Sequence, residues 1–221
     1  MSVAFLVPDT TIAGAASKGS FVVVNDSEKS LPVETNVSRI DLDKNGDFTT
    51  KPARDKFLIF PRRADVPPGG RQKFFVQWIG DPHIKTSQCY IISVNEVPTK
   101  MPKGRSGVQV VFNFTAVMNI APMTGSSAIN LLNSGVANDD RGKFRPTITV
   151  KNSGNIHAKL TDATITLSGS GWSKTVTPDE LRPSMGLGLV QPGKTRRFLL
   201  PVDMPPNVKD VTASIRYEPT K

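Results

Sequence analysis

Short β-rich runs of apolar, β-branched and aromatic residues, several of them alternating apolar with polar, recur along the chain between turn signals. They are Phe21–Asn25, Val33–Leu42, Phe57–Phe60, Lys73–Ile79 and Gln88–Val97, then Gly107–Ile120, Thr147–Asn152, Ala158–Leu167, Thr195–Val202 and Val211–Tyr217. A period of two residues marks a strand that packs on one face. No stretch sustains apolar positions at helical spacing. The pattern predicts short strands joined by turns, as in β-sandwiches.

The turns carry their own chemistry. Asp43-Lys44-Asn45-Gly46-Asp47 puts Asn-Gly between two extended segments, a hairpin signal because both residues tolerate positive φ. Pro67-Pro68-Gly69-Gly70 and Gln191-Pro192-Gly193-Lys194 each precede a strand, one in each half of the chain, which points to two domains of similar plan. Ala121-Pro122 closes the long run, and Met123-Thr124-Gly125-Ser126-Ser127 follows as a small polar linker; proline stops a ladder there. The expected division is a first domain over 1–122 and a second over 123–221.

Gly107–Ile120 is the most informative stretch. Its even positions, Val108, Val110, Phe112, Phe114, Ala116, Met118 and Ile120, form one apolar stripe, and Gln109, Asn113, Thr115 and Asn119 stand on the opposite face. The run exceeds the usual length of about five or six residues, so part of it is free to pair within its domain while part serves a partner. A central core strand shows the same alternation.

Composition narrows the partners. Lys+Arg 28 against Asp+Glu 19 leaves a formal net charge of +9, which favours an anionic partner without choosing among nucleic acid, membrane surface and acidic protein. The basic residues are dispersed, in small clusters such as Arg62-Arg63, Arg71/Lys73 and Lys194/Arg196/Arg197. With no RNP-type aromatic motif or zinc-finger spacing beside them, nucleic acid is not the expected partner. No apolar run approaches the ~20 residues of a membrane span, so a soluble protein without stable membrane insertion is expected. Cys89 is the only cysteine and sits in the apolar run Gln88-Cys89-Tyr90-Ile91-Ile92, which reads as a buried, inert thiol in a chain without an intrachain disulfide.

No constellation of catalytic residues appears. His83 and His157 are the only histidines and have no second histidine at ligand spacing, and there is neither a Gly-x-Ser-x-Gly elbow nor a phosphate-binding glycine loop. Gly186-Leu187-Gly188 lacks the third glycine of a dinucleotide site, and Asp139-Asp140 beside Gly142 reads as a loop. A non-enzymatic protein without cofactor or metal is expected.

Several motifs, taken in order, resemble those of the periplasmic PapD-like chaperones of pilus assembly. They are Phe21-Val-Val-Val-Asn25-Asp26, Phe60-Pro61-Arg62 with Pro68-Gly69-Gly70, Ile92-Ser-Val-Asn95-Glu96-Val97-Pro98, and the long strand ending Ile120-Ala121-Pro122. The second half adds Val150-Lys-Asn152-Ser153-Gly154-Asn155 and Leu189-Val-Gln-Pro192-Gly193-Lys194-Thr-Arg-Arg-Phe198. The resemblance covers nearly the whole chain. It implies an all-β fold of two immunoglobulin-like β-sandwich domains at an angle to one another, a periplasmic location, and partners of two kinds, pilus subunits and an outer-membrane usher. Export implies a removed signal peptide and an added Met1.

In that family the last strand of the first domain is lent to a subunit that lacks one strand, which is strand addition at a sheet edge. The corresponding donor positions here are Val108, Val110 and Phe112, with Phe114 as a fourth. Pro98–Ser106 ahead of them reads either as a mobile loop that becomes strand-like on docking or as a plain solvated hairpin loop.

The resemblance also has gaps. The family's two basic anchors for the subunit's terminal carboxylate correspond to about Asp9 and to Val117, and neither is basic. The chain therefore looks like a divergent branch, nearer the alternative or archaic pilus chaperones. Arg62 and Arg63 are the first substitutes, with Lys73 and Lys85 behind them, because charge-assisted donors hold a carboxylate best; each also reads as an ordinary solvated charge. Glu96 resembles a family glutamate whose arginine partner is replaced here by Phe75, so it reads as structural. The rival reading is a two-domain immunoglobulin-like adhesion or structural protein.

Overall fold

The computed structural model describes residues 2–6, 10–13, 17–98, 111–186 and 188–219. Its contacts divide the chain into two compact units. The first comprises Met1–Ile40, Thr50–Ile84 and Gln88–Met123, and the second Asp41–Thr49, Lys85–Ser87 and Thr124–Lys221. Residues 41–49 and 85–87, which the linear division assigns to 1–122, group with the second unit. Both units are antiparallel β-sandwiches of the immunoglobulin-like kind.

The first unit is built on β1 (Ser2–Leu6), β2 (Thr10–Thr11), β3 (Lys18–Val24), β4 (Leu31–Leu42, all but its last two residues), β5 (Phe48–Pro52, from its third residue), β6 (Phe57–Phe60), β7 (Arg63–Val66), β8 (Arg71–Trp78), β9 (Gln88–Glu96) and β10 (Asn113–Ala121). One sheet is ordered β1-β3-β8-β6; the other is β2-β10-β9-β4-β5, with β7 also paired to β4. The alternation read from the sequence turns every second side chain into the space between the sheets. There Phe21 of β3 and Phe74 of β8 stack with ring centroids 4.9 Å apart. Phe57 meets Trp78 at 5.1 Å and Tyr90 at 4.9 Å, edge to face. Such pairs add about 0.5–1.5 kcal/mol each beyond the apolar area they bury.

The second unit contains β11 (Ile129–Asn138), β12 (Phe144–Asn152), β13 (Ala158–Lys159), β14 (Ala163–Gly169), β15 (Trp172–Val176), β16 (Leu189–Val190), β17 (Thr195–Leu199) and β18 (Thr212–Tyr217). Its sheets are β11-β12-β17, β13-β16 and β15-β14-β18, closing over Ile148, Val150, Leu160, Ile165, Leu167 and Phe198.

The two proline-glycine turns have the same geometry. Gly70 donates its N–H to Pro67 O at 2.9 Å, and Lys194 donates to Gln191 O at 3.1 Å. The third residue of each turn lies at positive φ, 65° for Gly69 and 72° for Gly193. This is the type II turn that glycine at that position permits.

Two sequence expectations need revision, and one strand was not foreseen. Ala158–Leu167 is broken by a 3-10 turn at Leu160–Asp162 between β13, which pairs with β16, and β14, which pairs with β15 and β18, so the chain passes from one sheet to another. β11, a strand the sequence pattern did not mark, carries no clean alternation, because a register shift between Leu131 and Asn133 puts Leu132 outside, 56% exposed. Among the described residues of the run expected as one strand over 107–120, Val111 and Phe112 precede the strand, which begins at Asn113. Residues 107–110, with donor positions Val108 and Val110, and most of the Pro98–Ser106 loop lie outside the described residues.

Candidate functional site: the outer edge of β10

β10 pairs with β9 in antiparallel register from Asn113↔Asn95 to Ile120↔Gln88. On its other side it meets β2, in parallel, only at Ile120 and Ala121. Among the described residues, no strand covers the rest of that outer edge. Just before the strand, Glu96 donates its N–H to Phe112 O at 2.9 Å. Antiparallel pairs alternate between bonded and non-bonded, so Phe112, Phe114 and Ala116 turn their backbone groups toward β9. Asn113, Thr115 and Val117 turn theirs outward.

The side chains follow the same alternation. Met118 and Ile120 lie in the core at 2% and 0% exposure. Phe114 continues that face half-buried, and Phe112 carries it on at 46% exposure. The two rings lie 6.4 Å apart. The apolar stripe thus runs from the sandwich core out along the edge that has backbone groups to offer. An exposed apolar edge of this kind is a template for pairing with another chain.

Glu96, read from the sequence as a structural residue, has a more specific place. Its carboxylate Oε2 accepts the Phe112 N–H at 3.2 Å. Together with the Glu96 N–H bond, this closes a two-way clasp at the start of the exposed stripe. Phe75 stands 54% exposed on β8, in the opposite sheet. A sequence signal existed, since Asn95-Glu96-Val97 ends the strand opposite Phe112, but only the register says which backbone group the carboxylate meets.

The four candidate cations do not converge. Arg62 and Arg63 line a common pocket with Arg54, a residue the sequence reading passed over. That pocket belongs to β4 and β7. The row Arg63–Glu34–Asn95–Asn113 runs across β7, β4, β9 and β10, so at ~4.8 Å per strand it stands roughly 14 Å from β10. Lys73 lies on the outer face of β8 with Nζ 5.0 Å from the Phe75 ring centroid. Lys85 is exposed, and its carbonyl accepts from Asn155 Nδ2 at 3.0 Å. Asp9 lies outside the described residues, and Val117 is half-buried on β10.

Cys89 is buried, 1% exposed, and in no disulfide. Among the described residues, no helix is long and apolar enough to cross a membrane.

No protein-family profile and no curated protein sequence matches this chain. The likeness is to solved structures. The class 5 fimbriae chaperone CfaA superposes with a TM-score of 0.59 at 13% sequence identity, over 100% of this chain and 94% of that one. A chain of the Salmonella enterica SafA pilin in complex with the SafB chaperone matches with a TM-score of 0.57 at 14% identity, over 98% and 96%. A chain of the CsuC–CsuE chaperone–tip adhesion subunit complex, from the archaic Csu pili of Acinetobacter baumannii, matches with a TM-score of 0.52 at 10% identity, over 86% of each. At such identities the shared property is the fold.

Proposed function

We propose that this chain is a PapD-like periplasmic chaperone that holds pilus subunits by lending them β10 and passes them to an outer-membrane usher. The observation that carries this reading is the outer edge of β10. It offers backbone groups at Asn113, Thr115 and Val117 beside an apolar stripe that emerges from the core through Phe114 and Phe112. A subunit short of one strand exposes the complementary surface, a groove between sheets and an unpaired edge.

The donor residues are Phe112 and Phe114, continued by Val108 and Val110. Full burial of each apolar side chain contributes about 1.5–3 kcal/mol, so the set offsets the cost of ordering a client segment. The ladder fixes register, and Glu96 holds the point where the donor segment enters β10. The cations proposed to meet a client's terminal carboxylate are Arg62 and Arg63, then Lys73 and Lys85.

Co-expression with pilus subunits from the protein's own genomic neighbourhood, followed by affinity purification and size-exclusion chromatography, tests the reading. A one-to-one complex that is lost in Phe112→Asp is expected. No complex with any neighbouring subunit would favour a two-domain adhesion or structural module.

A further inference from the structure

Across β9 and β4 from the donor edge, the first unit holds a pocket of about 240 Å³. Val37, Phe57 and Ile59, at 4%, 2% and 6% exposure, form its floor. Its rim is charged and unbalanced: Arg54, Arg62 and Arg63 face a single carboxylate, Glu34. Arg63 donates through Nε and Nη2 to Glu34 Oε2 at 2.8 and 2.6 Å. Arg54 donates to Asn36 Oδ1 and stands 3.8 Å from Glu34 Oε1. Arg62 is held by its backbone, its carbonyl accepting both the N–H and the hydroxyl of Thr35 at 3.0 and 3.2 Å. Its guanidinium makes no hydrogen bond or ion pair among the described residues.

We infer that this pocket binds a carboxylate carried on a short apolar group, the oxygens meeting Arg62 and the neighbouring guanidiniums and the apolar body resting on Phe57 and Ile59. Guanidinium forks match a planar carboxylate in two-pronged fashion. One carboxylate leaves the rim cationic, so a second anion relieves like-charge repulsion that Glu34 meets only in part. At about 30 Å³ of liquid volume per water, the space holds roughly eight waters' worth of ligand, which suits a carboxylate with a phenyl ring or branched aliphatic chain. Because β9 and β4 intervene, the site stays open whether or not a client occupies β10, and it does not depend on the chaperone reading.

The test is calorimetric titration of the whole protein with phenylacetate and with its neutral counterpart, phenylacetamide. Phenylacetate should saturate a single site, and phenylacetamide should bind at least about tenfold more weakly, since it lacks the charge the forks require. Arg62→Ala should weaken phenylacetate at least about fivefold, and Glu34→Gln, which removes the competing anion, should tighten it about threefold or more. Phe112→Asp should leave it unchanged. N-acetyl-Gly-Phe with a free carboxylate separates two sources of the same chemistry: binding about tenfold tighter than phenylacetate identifies a chain terminus as the occupant, and equal binding a small acid. Equal affinity for phenylacetate and phenylacetamide, or no change in a folded Arg62→Ala together with no gain in Glu34→Gln, would overturn the assignment.

Discussion

Asn25 donates through its side-chain Nδ2 to the carbonyl oxygen of Val66 at 2.9 Å, tying the end of β3 to the end of β7 across 41 residues of chain. The same device recurs in the second unit, where Asn152 Nδ2 reaches Val190 O at 3.0 Å. Asn25 follows β3 and Asn152 closes β12, and each answers to the carbonyl just ahead of a proline-glycine turn. Each also accepts locally, Asn25 Oδ1 from the Ser27 N–H at 3.1 Å and Asn152 Oδ1 from the Gly154 N–H at 3.0 Å.

Asn25→Asp and Asn152→Asp are therefore expected to be costly despite near-identical shape, because a carboxylate accepts but does not donate. Leaving a buried carbonyl unsatisfied costs about 1–3 kcal/mol, and burying an extra charge at sites 1% and 0% exposed adds to it. Denaturant unfolding should show a loss of at least about 2 kcal/mol for each. Wild-type midpoints in both variants would show that these bonds contribute nothing.

Phe112→Asp should abolish client recovery with little effect on folding, because Phe112 is 46% exposed in the free chain but would sit in an apolar groove in the complex, where a charge is costly. The check is client yield beside a thermal melt. Unchanged yield removes β10 from the mechanism.

The ladder has its own test. Thr115→Pro deletes an N–H that faces the open edge, a place where strands tolerate proline, so client binding should weaken while the fold survives. Phe114→Pro deletes an N–H directed at Val94 of β9 and should destabilise the first unit by about 1–3 kcal/mol. Equal effects of the two on stability would show that the alternation along β10 is not the one the register implies.

Alkaline pH addresses the core. Burial pushes the Tyr90 phenol up to about 12 from 10.0. Its hydroxyl donates to Gln88 Oε1 at 2.5 Å. Folding thus favours the neutral phenol, so its contribution is complete below pH 10.0 and is lost as pH rises toward about 12. Melting temperatures of wild type and Tyr90→Phe should converge across that window, with the lysine titrations common to both cancelling in the difference. Parallel curves would mean that Tyr90 ionises no differently in the folded chain.

Much of this architecture was legible in the residues themselves. The β-branched and aromatic runs at Phe57–Phe60 and Gln88–Val97 specified strands because such side chains fit a pleated, half-buried surface. Positive-φ glycine in Pro67–Gly70 and Gln191–Lys194 specified turns, since the backbone allows little else there. Where the local signal was weak the reading failed. Ile129–Asn138 is a strand because β12 pairs with it, not because its side chains alternate. The single helical turn Pro178–Leu181 rests on a contact three residues apart, the Glu180 carboxylate accepting the Thr177 N–H at 2.9 Å.

The sequence by itself determined that the chain is all-β, that every second residue from Val108 to Ile120 is apolar, and that basic residues outnumber acidic ones. These follow from periodicity and composition, which are properties of neighbours along the chain. Only the tertiary structure decided which edge of β10 stays open, that Glu96 meets Phe112, and that Arg62 and Arg63 gather with Arg54 around Glu34 rather than beside the donor strand. Those are matters of strand order and register. Residues distant in sequence are brought together by hydrogen bonds that any backbone can make, so the pairing is chosen by the packing of the whole sandwich rather than by a local code.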